Sequence, residues 1–535
     1  MREGRPSCSL VRRRRPPTPR EIRADDHRSR QPRAGHREWL GLAVLALPCL
    51  LVSMDLTVLN LAVPHLSADL RPSGSQLLWI VDIYGFLIAG SLIAMGTLGD
   101  RVGRRRLLLI GGAAFGAASL LAAFSTSAEM LILARALLGV AGATLMPSTL
   151  SLIRTMFHDP AQRTLAIGIW TISFSLGAVI GPLVGGVLLE RFWWGSVFLV
   201  GVPVMVLLLA LGPALLPEYR NPAAGRFDLL SAAMSVVAVL AVIYGIKQIA
   251  EGGPAWTAVV SIVAGAVVAV LFGVRQRRLA DPLLDLRLFH RVAFSASLAA
   301  QTLAFLVAFG TLFLIAQYLQ LVVGLSPLAA GLWTVPSSIG FIAGAMAGPA
   351  LATRLRPGYV MGAGLACAAI GFAVLTQVEP GGGVFVPVVA SVVFCVGLAP
   401  VYILATDLMV STAPEEEAGA ASAISEAGSE FGTALGIAIL GSVSTAVYRG
   451  IMADTTPVGV GSDAAGSARD TLGGAVAVAE ELPGPLGAEL LDAARDAFAR
   501  ALEVTAVISV VLTVAMCAVA VVALRTVRTA PAKTD

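Results

Sequence analysis

Acidic residues inside apolar stretches are the first candidates for chemistry in this sequence, because an unpaired charge in hydrocarbon is costly and is usually kept for a function. Glu426 and Glu430 are four residues apart and follow Ser422 at the same spacing, so one face of a helix would present all three side chains. Asp55 and Asp82 lie in the first two apolar stretches. Such carboxylates could carry protons, attract a cationic substrate, or do both. The alternative is that they are hydrogen-bonded groups that support packing.

Arg135 is a basic residue inside another apolar stretch. A buried guanidinium needs a carboxylate partner, because an uncompensated buried charge is strongly destabilising. Asp55 and Asp82 are the candidates in the same part of the chain. We expect Arg135 to pair with one of them, either within a functional site or as a purely structural ion pair.

The composition indicates that these residues lie in a membrane. Of the 535 residues, 56% are hydrophobic and only 13% are charged, against about 25% charged residues in an ordinary soluble domain. This predicts an all-α polytopic membrane protein. The cysteines show no metal-ligand spacing, and the sequence contains neither a G-x-x-x-x-G-K-S/T phosphate loop nor an H-E-x-x-H motif. We therefore expect no catalytic residues, no metal site, no cofactor and no ATP-driven pumping.

Apolar runs of about 18 residues or more predict fourteen membrane helices. An even number of crossings returns both termini to one side, and most of the 38 Lys and Arg residues then fall on that side. The positive-inside rule identifies it as the cytoplasm. The predicted order is a disordered Arg-rich cytoplasmic tail at 1–38, a six-helix half at 39–217, two inserted helices with a cytoplasmic linker at 218–292, a second six-helix half at 293–525 with an extracellular segment at 446–500, and a cytoplasmic tail at 526–535.

The regions outside the two halves carry expectations of their own. The Arg-rich tail favours a topology anchor beside anionic lipid over nucleic-acid binding. The inserted helices contain Lys247 and Glu251 only near their ends, so we expect this pair to be peripheral. The segment 446–500 is expected to form a hairpin or lid over the outer mouth.

A charged cluster separates the second and third predicted helices, where residues 96–106 read Gly-Thr-Leu-Gly-Asp-Arg-Val-Gly-Arg-Arg-Arg. These charges cannot lie in hydrocarbon. We expect a short aqueous turn whose charged residues pair with one another and with helix ends, and whose glycines let the backbones approach closely. The residues concerned are Gly96, Asp100, Arg101, Gly103 and Arg104.

The fifth predicted helix carries small residues on one face. Ser173, Gly177, Gly181 and Gly185 follow one another at intervals of four, and Pro182 adds a tendency to kink. Stripes of small residues let membrane helices pack closely. We therefore expect this face to lie against a neighbouring helix.

Several of these blocks together resemble the major facilitator superfamily and, within it, the fourteen-helix drug:proton antiporters of the QacA-like type. The charged cluster resembles the loop signature of the superfamily, and G-x-x-x-G-P-x-x-G-G at 177–186 resembles the signature of its drug exporters. The further matching stretches are 54–64, 78–84, 135–142 and 281–289.

The resemblance implies a major facilitator fold of two six-helix halves plus two extra central helices, in the bacterial inner membrane. It implies proton-coupling or substrate-binding roles for the acids that match the family pattern, which are Asp55, Asp82, Glu426 and Glu430. The QacA-like pattern has an acid associated with divalent cations where this chain has Phe341. That difference implies a preference for monovalent cations.

We therefore predict a proton-coupled antiporter that exports lipophilic monovalent cations such as drugs, antiseptics or dyes. Its partners would be these small molecules, protons and the lipid bilayer, with no nucleic acid, and it would act as a monomer driven by the proton gradient. One alternative is a dedicated exporter of a single natural product or metabolite. Another is a non-transporting membrane sensor or scaffold that docks through the Arg-rich tail.

Overall fold

The computed structural model describes residues 34–218, 220, 228–250, 255–279, 286–379, 381–412 and 418–525. Every regular element in these ranges is a helix. The predicted tails at 1–38 and 526–535 lie outside them except for residues 34–38, where the first helix already begins at His36.

The helices fall into three groups along the chain. The first group is α1 (His36–Leu70), α2 (Gly74–Val102), α3 (Arg104–Ala123), α4 (Ala128–Met156), α5 (Pro160–Arg191), α6 (Ser196–Leu199) and α7 (Gly201–Leu215). The second is α8 (Leu229–Ala250) and α9 (Ala255–Arg278). The third is α10 (Val292–Gln317), α11 (Pro327–Ala352), α12 (Pro357–Leu375), α13 (Phe385–Thr412), α14 (Ala418–Thr455), α15 (Ser462–Asp470), α16 (Leu472–Glu481) and α17 (Gly484–Leu524). A short 3₁₀ turn, Leu288–His290, precedes α10, and a π turn, Tyr318–Val322, follows it.

The number of crossings follows from length and hydropathy. Thirteen helical segments of the described chain are long and apolar enough to span a membrane, and α6 and α7 together form one of them. The 32-residue α5 brings the number to the predicted fourteen. The prediction of an all-α polytopic membrane protein is confirmed.

Helix starts are marked by polar side chains that the sequence places just before apolar runs. Ser73, Ser127, Asp159 and Ser326 each accept a hydrogen bond from the backbone N–H three residues further on. These caps satisfy amide groups that have no partner within the helix. They fix where α2, α4, α5 and α11 begin.

The small-residue face of α5 packs against α1. A Cβ added at Gly177 would lie 2.2 Å from the backbone oxygen of Leu50, and one added at Gly181 would lie 2.3 Å from Oγ1 of Thr57. Larger side chains would therefore push the two helices apart. This close packing fixes the part of α1 that carries Asp55.

The closest approaches between the two halves lie at the end of the bundle that carries the segment 446–500, which we call the outer end. There, Gly186 and Pro182 of α5 meet the first turns of α11, and α2 packs along α14. Further along α11, Gly344 and Gly348 face α13 of their own half. The halves are thus joined at the outer end.

The inserted hairpin is not uniformly peripheral. Much of α9 is exposed, with Val260 and Val270 facing outward. In contrast, α8 packs on α2 and α14, and its Lys247 is only 1% exposed. Only 22% of the most apolar part of α8 is buried, so the pair is peripheral as expected, but Lys247 near the end of α8 points into the bundle and has an acidic partner there.

The charged cluster at the opposite, inner end is more helical than expected. The residues from Gly96 to Val102 complete α2, and α3 begins at Arg104. Only Gly103 lies between the two helices, with φ of 118°, a region of backbone space that favours glycine. The predicted turn therefore consists of one residue, because α2 continues through Asp100 and Arg101 to Val102.

The segment 446–500 folds as helices over the outer end. It contains the end of α14, all of α15 and α16 and the start of α17. Arg71 at the end of α1 forms an ion pair of 2.8 Å with Glu481. Nε of Arg495 in α17 donates to the backbone oxygen of Leu321 in the π turn after α10. These contacts tie the segment to both halves.

Candidate functional site

Arg135 and Asp55 form an ion pair between α4 and α1. Nη1 of Arg135 lies 2.5 Å from Oδ2 of Asp55, and its Nε donates to the backbone oxygen of Ile80. The guanidinium also lies over the ring of Tyr84, 4.4 Å from the centroid. The side chain of Arg135 is 1% exposed and that of Asp55 is 15% exposed. The carboxylate is therefore the accessible member of the pair.

Asp82 has a different cation, Lys247 of the inserted helix α8, which was not predicted from the sequence. Nζ of Lys247 lies 3.0 Å from Oδ1 and 2.9 Å from Oδ2 of Asp82, and both side chains are almost completely buried. The ammonium also lies 3.9 Å from the ring centroid of Trp79. Of the two candidate partners for Arg135, Asp55 makes the ion pair, and Asp82 is neutralised by the inserted hairpin.

A small void brings α14 close to these ion pairs. It has a volume of about 10 Å³, and Asp82, Arg135 and Thr433 are among the residues that line it. A buried water needs about 10–15 Å³ of such space. The charged groups of the first half and the inner face of α14 are thus separated by no more than a water-sized gap.

Glu426 and Glu430 lie on that inner face of α14. Glu430 is 6% exposed, whereas Glu426 is half-buried. Within the described part of the chain neither forms a salt bridge, and Oε2 of Glu430 has no hydrogen-bond partner. Glu430 lies within electrostatic range of Tyr84 on α2, and Glu426 within range of Cys49 on α1. The two carboxylates therefore face the first half without a compensating cation.

A buried hydrogen-bond cluster fixes the rotation of α14. Nε2 of Gln301 on α10 donates to the hydroxyl of Ser425 at 3.0 Å and to that of Ser429 at 2.5 Å. Oγ1 of Thr406 on α13 also contacts the Ser425 hydroxyl, at 3.1 Å. Because each glutamate follows one of these serines, anchoring the serines to α10 and α13 directs the carboxylates away from them. Gln301 carries no charge, and an uncharged side chain in an apolar run is a weak signal for such a role.

Aromatic rings lie beside the glutamates in the second half. The ring of Phe305 is 5.1 Å from that of Tyr402 and 5.6 Å from that of Phe309, while Phe341 lies 6.5 Å from Tyr402. Tyr402 is within electrostatic range of both Glu426 and Glu430. We call these four residues the aromatic cluster. Rings attract cations through their faces, so the cluster and the carboxylates together suit a lipophilic cation.

The charged cluster at the inner end forms a local network. Nε and Nη2 of Arg104 lie 2.8 Å and 2.6 Å from Oδ1 of Asp100. Glu218, after α7, accepts from the backbone N–H of Arg105. A Cβ at Gly103 would lie 2.5 Å from Oε1 of Glu218.

The linker after α7 also contacts the end of α2. Arg101 is exposed, and its backbone oxygen accepts a hydrogen bond from Nε of Arg220. This network joins α2, α3 and the linker within the first half.

The remaining predicted site residues occupy helix contacts. Gly96 faces Pro147 of α4, and Gly185 faces Val58 of α1. Pro182 contributes its backbone oxygen to the close contact with Gly331 of α11. These residues position the halves and do not face the carboxylates of α14. No group of three or more His, Cys, Asp or Glu suited to a metal ion occurs among the residues covered by the structure.

A helical bundle of two packed halves, with ionisable groups near its centre where the halves meet, is the architecture of a secondary membrane transporter. A sequence profile of the Major Facilitator Superfamily matches residues 45–437. The chain belongs to this superfamily.

Relatives that match most of the chain are efflux and resistance proteins. The multidrug efflux pump LfrA of Mycolicibacterium smegmatis is 45% identical over 489 residues, which are 91% of this chain and 97% of the relative. The methyl viologen resistance protein SmvA of Salmonella typhimurium is 37% identical over 466 residues, covering 86% of this chain and 93% of the relative. The predicted kinship with multidrug efflux pumps of this superfamily is confirmed.

A solved structure supports the fold independently. A bacterial homolog of the human lysosomal transporter Spinster, in an inward-facing and unoccupied conformation, has a TM-score of 0.66. It is 18% identical, and the match covers 93% of this chain and 100% of that chain. At this identity the likeness shows the fold alone, which is the predicted major facilitator architecture.

Proposed function

We propose that this protein is a proton-coupled antiporter that exports lipophilic cations across the bacterial inner membrane, acts as a monomer and keeps both termini in the cytoplasm. The observation that carries the proposal is the pair of uncompensated carboxylates, Glu426 and Glu430, beside the aromatic cluster. A cation and a proton would compete for these two groups. The relation to multidrug efflux pumps supports the direction of transport.

The two glutamates suit different tasks. Glu426 is half-buried and lies near Tyr402, so it is placed to attract a cation that rests against the aromatic cluster. Glu430 is more deeply buried and has an oxygen without a partner in the described chain, so it is placed to bind a proton. Protonation of the pair would weaken the attraction for the cation and release it. Loss of the proton on the other side would restore the attraction.

The arrangement of the two halves supports alternating access. The halves are joined at the outer end, which is the contact an inward-facing transporter needs. Asp55 and Arg135, together with the small-residue face of α5, hold the first half together around the site. Rocking of the halves would expose the glutamates to each side in turn. The Asp100–Arg104 network at the inner end would bias that equilibrium.

The test is dye transport in energised inverted membrane vesicles. We expect ethidium to accumulate in vesicles that contain the protein, and accumulation to disappear when the pH gradient is collapsed. Methyl viologen, a dication, should be measured beside ethidium, because the predicted preference is for monovalent cations. Transport of ethidium that is indifferent to the pH gradient would contradict proton coupling. Equal handling of both cations would contradict the charge preference.

A dedicated exporter of one natural product is the second candidate. The tetracenomycin C resistance and export protein of Streptomyces glaucescens is 32% identical over 411 residues, which are 76% of this chain. This relative favours a narrower substrate range within the same machinery. If vesicles with the protein move no cationic dye but do move one antibiotic, the dedicated exporter is the better description.

A further inference from the structure

The inserted helix α8 lies across the seam between the two halves. Ile243 of α8 packs in one buried cluster with Phe86 of α2 and with Ala434 and Ala438 of α14. One helix outside both six-helix halves thus contacts a helix of each. The two contacts differ in their chemistry.

The contact between α8 and α2 is polar and close. It contains the buried ion pair between Lys247 and Asp82, with Trp79 facing the ammonium. A Cβ built at Gly90 of α2 would lie 3.7 Å from the Cβ of Val236 of α8. Separating the two helices would expose two opposite charges to hydrocarbon. Such a step is strongly unfavourable.

The contact between α8 and α14 is apolar. Ile243 of α8 meets Ala434 and Ala438 of α14 in the buried cluster, and the apolar side chains of Val239 and Leu240 of α8 and of Phe431 of α14 pack around it. Lipid chains can replace apolar contacts between membrane helices at little cost. The contact with α14 is therefore easier to break than the contact with α2.

The second helix of the insert is fastened to α8. Nη2 of Arg275 on α9 lies 3.0 Å from Oδ1 of Asp228, at the start of α8. Nε2 of Gln276 donates to the Ser231 hydroxyl at 2.8 Å. The hairpin therefore behaves as one body.

We infer that the inserted hairpin moves with the first half as a permanent part of it, held by Lys247 on Asp82, and that it releases α14 in each transport cycle. This rests on the proposed function, because only a transporter whose halves rock apart must separate α2 from α14. The hairpin then stays on α2 while the contact between α8 and α14 opens and closes. Lys247 is the positioning residue that holds α8 on α2.

Two pairs of introduced cysteines test the inference. Gly90→Cys with Val236→Cys joins α2 to α8, and its Cβ separation of 3.7 Å suits a disulfide, which needs about 3.5–4.5 Å. Gly85→Cys with Ala434→Cys joins α2 to α14, where the Cβ atoms lie 3.2 Å apart. Ethidium transport is measured in vesicles before oxidation, after oxidation and after reduction. Each single-cysteine variant serves as the control for oxidation of the native cysteines, and mass spectrometry verifies the disulfides.

We expect the α2–α8 disulfide to leave transport unchanged and the α2–α14 disulfide to stop it until reduction restores it. Loss of transport with the α2–α8 disulfide would overturn the inference, since α8 would then have to move relative to α2. Failure of that disulfide to form would also contradict the described packing. Persistence of transport with the α2–α14 disulfide would instead contradict alternating access, and with it the proposed function.

Discussion

The acids of the two halves differ in their partners. In the first half Asp55 faces Arg135 and Asp82 faces Lys247, so each carboxylate has a cation within 3.0 Å. In the second half Glu426 and Glu430 have no salt-bridge partner among the residues that the structure describes. The two buried acids of the first half are therefore compensated, Asp55 by a cation of its own half and Asp82 by a cation of the insert, whereas the two glutamates have no such cation in the described chain.

This difference separates two roles that acidic residues in a membrane can have. A paired carboxylate loses its ion pair when it is protonated, so a change in its charge also weakens a contact between helices. An unpaired carboxylate beside a cleft can bind either a proton or a cation, and its charge can change during a cycle. We therefore propose that the glutamates carry the coupling chemistry and that Asp82 and Lys247 position α8 on α2.

The largest expected effect comes from removing the uncompensated charges. The double variant Glu426→Gln with Glu430→Gln keeps the shape of both side chains but leaves no group to exchange a proton for a cation. We expect ethidium transport in energised vesicles to fall to the level of vesicles without the protein, together with loss of dye-induced proton movement. Glu480→Gln, at an exposed position in the outer segment, is the matched control and should transport normally. Proton-coupled transport by the double variant would indicate that the coupling residues lie in the first half.

A large effect of another kind is expected for the buried ion pair between Asp82 of the first half and Lys247 of the insert. Lys247→Met leaves Asp82 buried without its cation, and Asp82→Asn does the same to Lys247. Breaking a buried ion pair costs about 3–5 kcal/mol, so each single variant should unfold at a markedly lower temperature in detergent. The double variant removes both charges, and we expect it to recover most of the stability.

Transport by the double variant Lys247→Met with Asp82→Asn distinguishes a positioning role of the pair from a role in proton coupling. If the pair only positions α8 on α2, the double variant should regain ethidium transport along with stability. A stable double variant that no longer transports would place Asp82 in the coupling chemistry. The glutamates would then not act alone.

The sequence was sufficient to predict the all-helical membrane fold, because long apolar runs identify the segments that cross the membrane. It was also sufficient to limit the partner of Arg135 to Asp55 or Asp82, since a buried arginine in an apolar run requires an acid and few are available; the packing of α1 against α4 shows that the partner is Asp55. The helical face of α5 was predictable for a similar reason, because glycines spaced by four have no other common purpose than close packing.

The pairing of Lys247 with Asp82 could not be predicted in this way. The two residues are 165 positions apart. The residue pattern of α8 does not indicate which neighbouring helix α8 packs against. Lys247 near a helix end is equally compatible with a side chain that reaches the membrane surface. Only the packing of α8 against α2 shows that the ammonium points inward. The role of Gln301 was hidden because an uncharged polar residue in an apolar run gives a weak signal.

A moderate effect is expected for the anchor of α14. Gln301→Ala removes the donor shared by Ser425 and Ser429 and leaves buried hydroxyls without it, a loss of about 1–3 kcal/mol. It should also loosen the direction of both glutamates, so ethidium transport should be reduced but not abolished, with a rise in KM. Gln320→Ala is the matched control, because within the described chain the side chain of that buried glutamine donates a hydrogen bond only to the backbone oxygen of Ala316. Equal effects of both variants would mean that Gln301 acts through general packing.

The smallest expected effect concerns a paired aspartate outside the membrane. Asp228 lies one residue before the spanning part of α8. The hydrogen bond from Arg275 is the main cause that lowers its pKa from 3.8 to about 2. A lowered pKa stabilises the folded state above the unfolded value, and this contribution disappears as the pH falls from about 4 towards 2. Asp228→Asn should therefore lower thermal stability slightly at neutral pH, and the difference from the natural protein should vanish near pH 2. A difference that disappears already between pH 5 and 7 would show that another titrating group sets the stability of the hairpin.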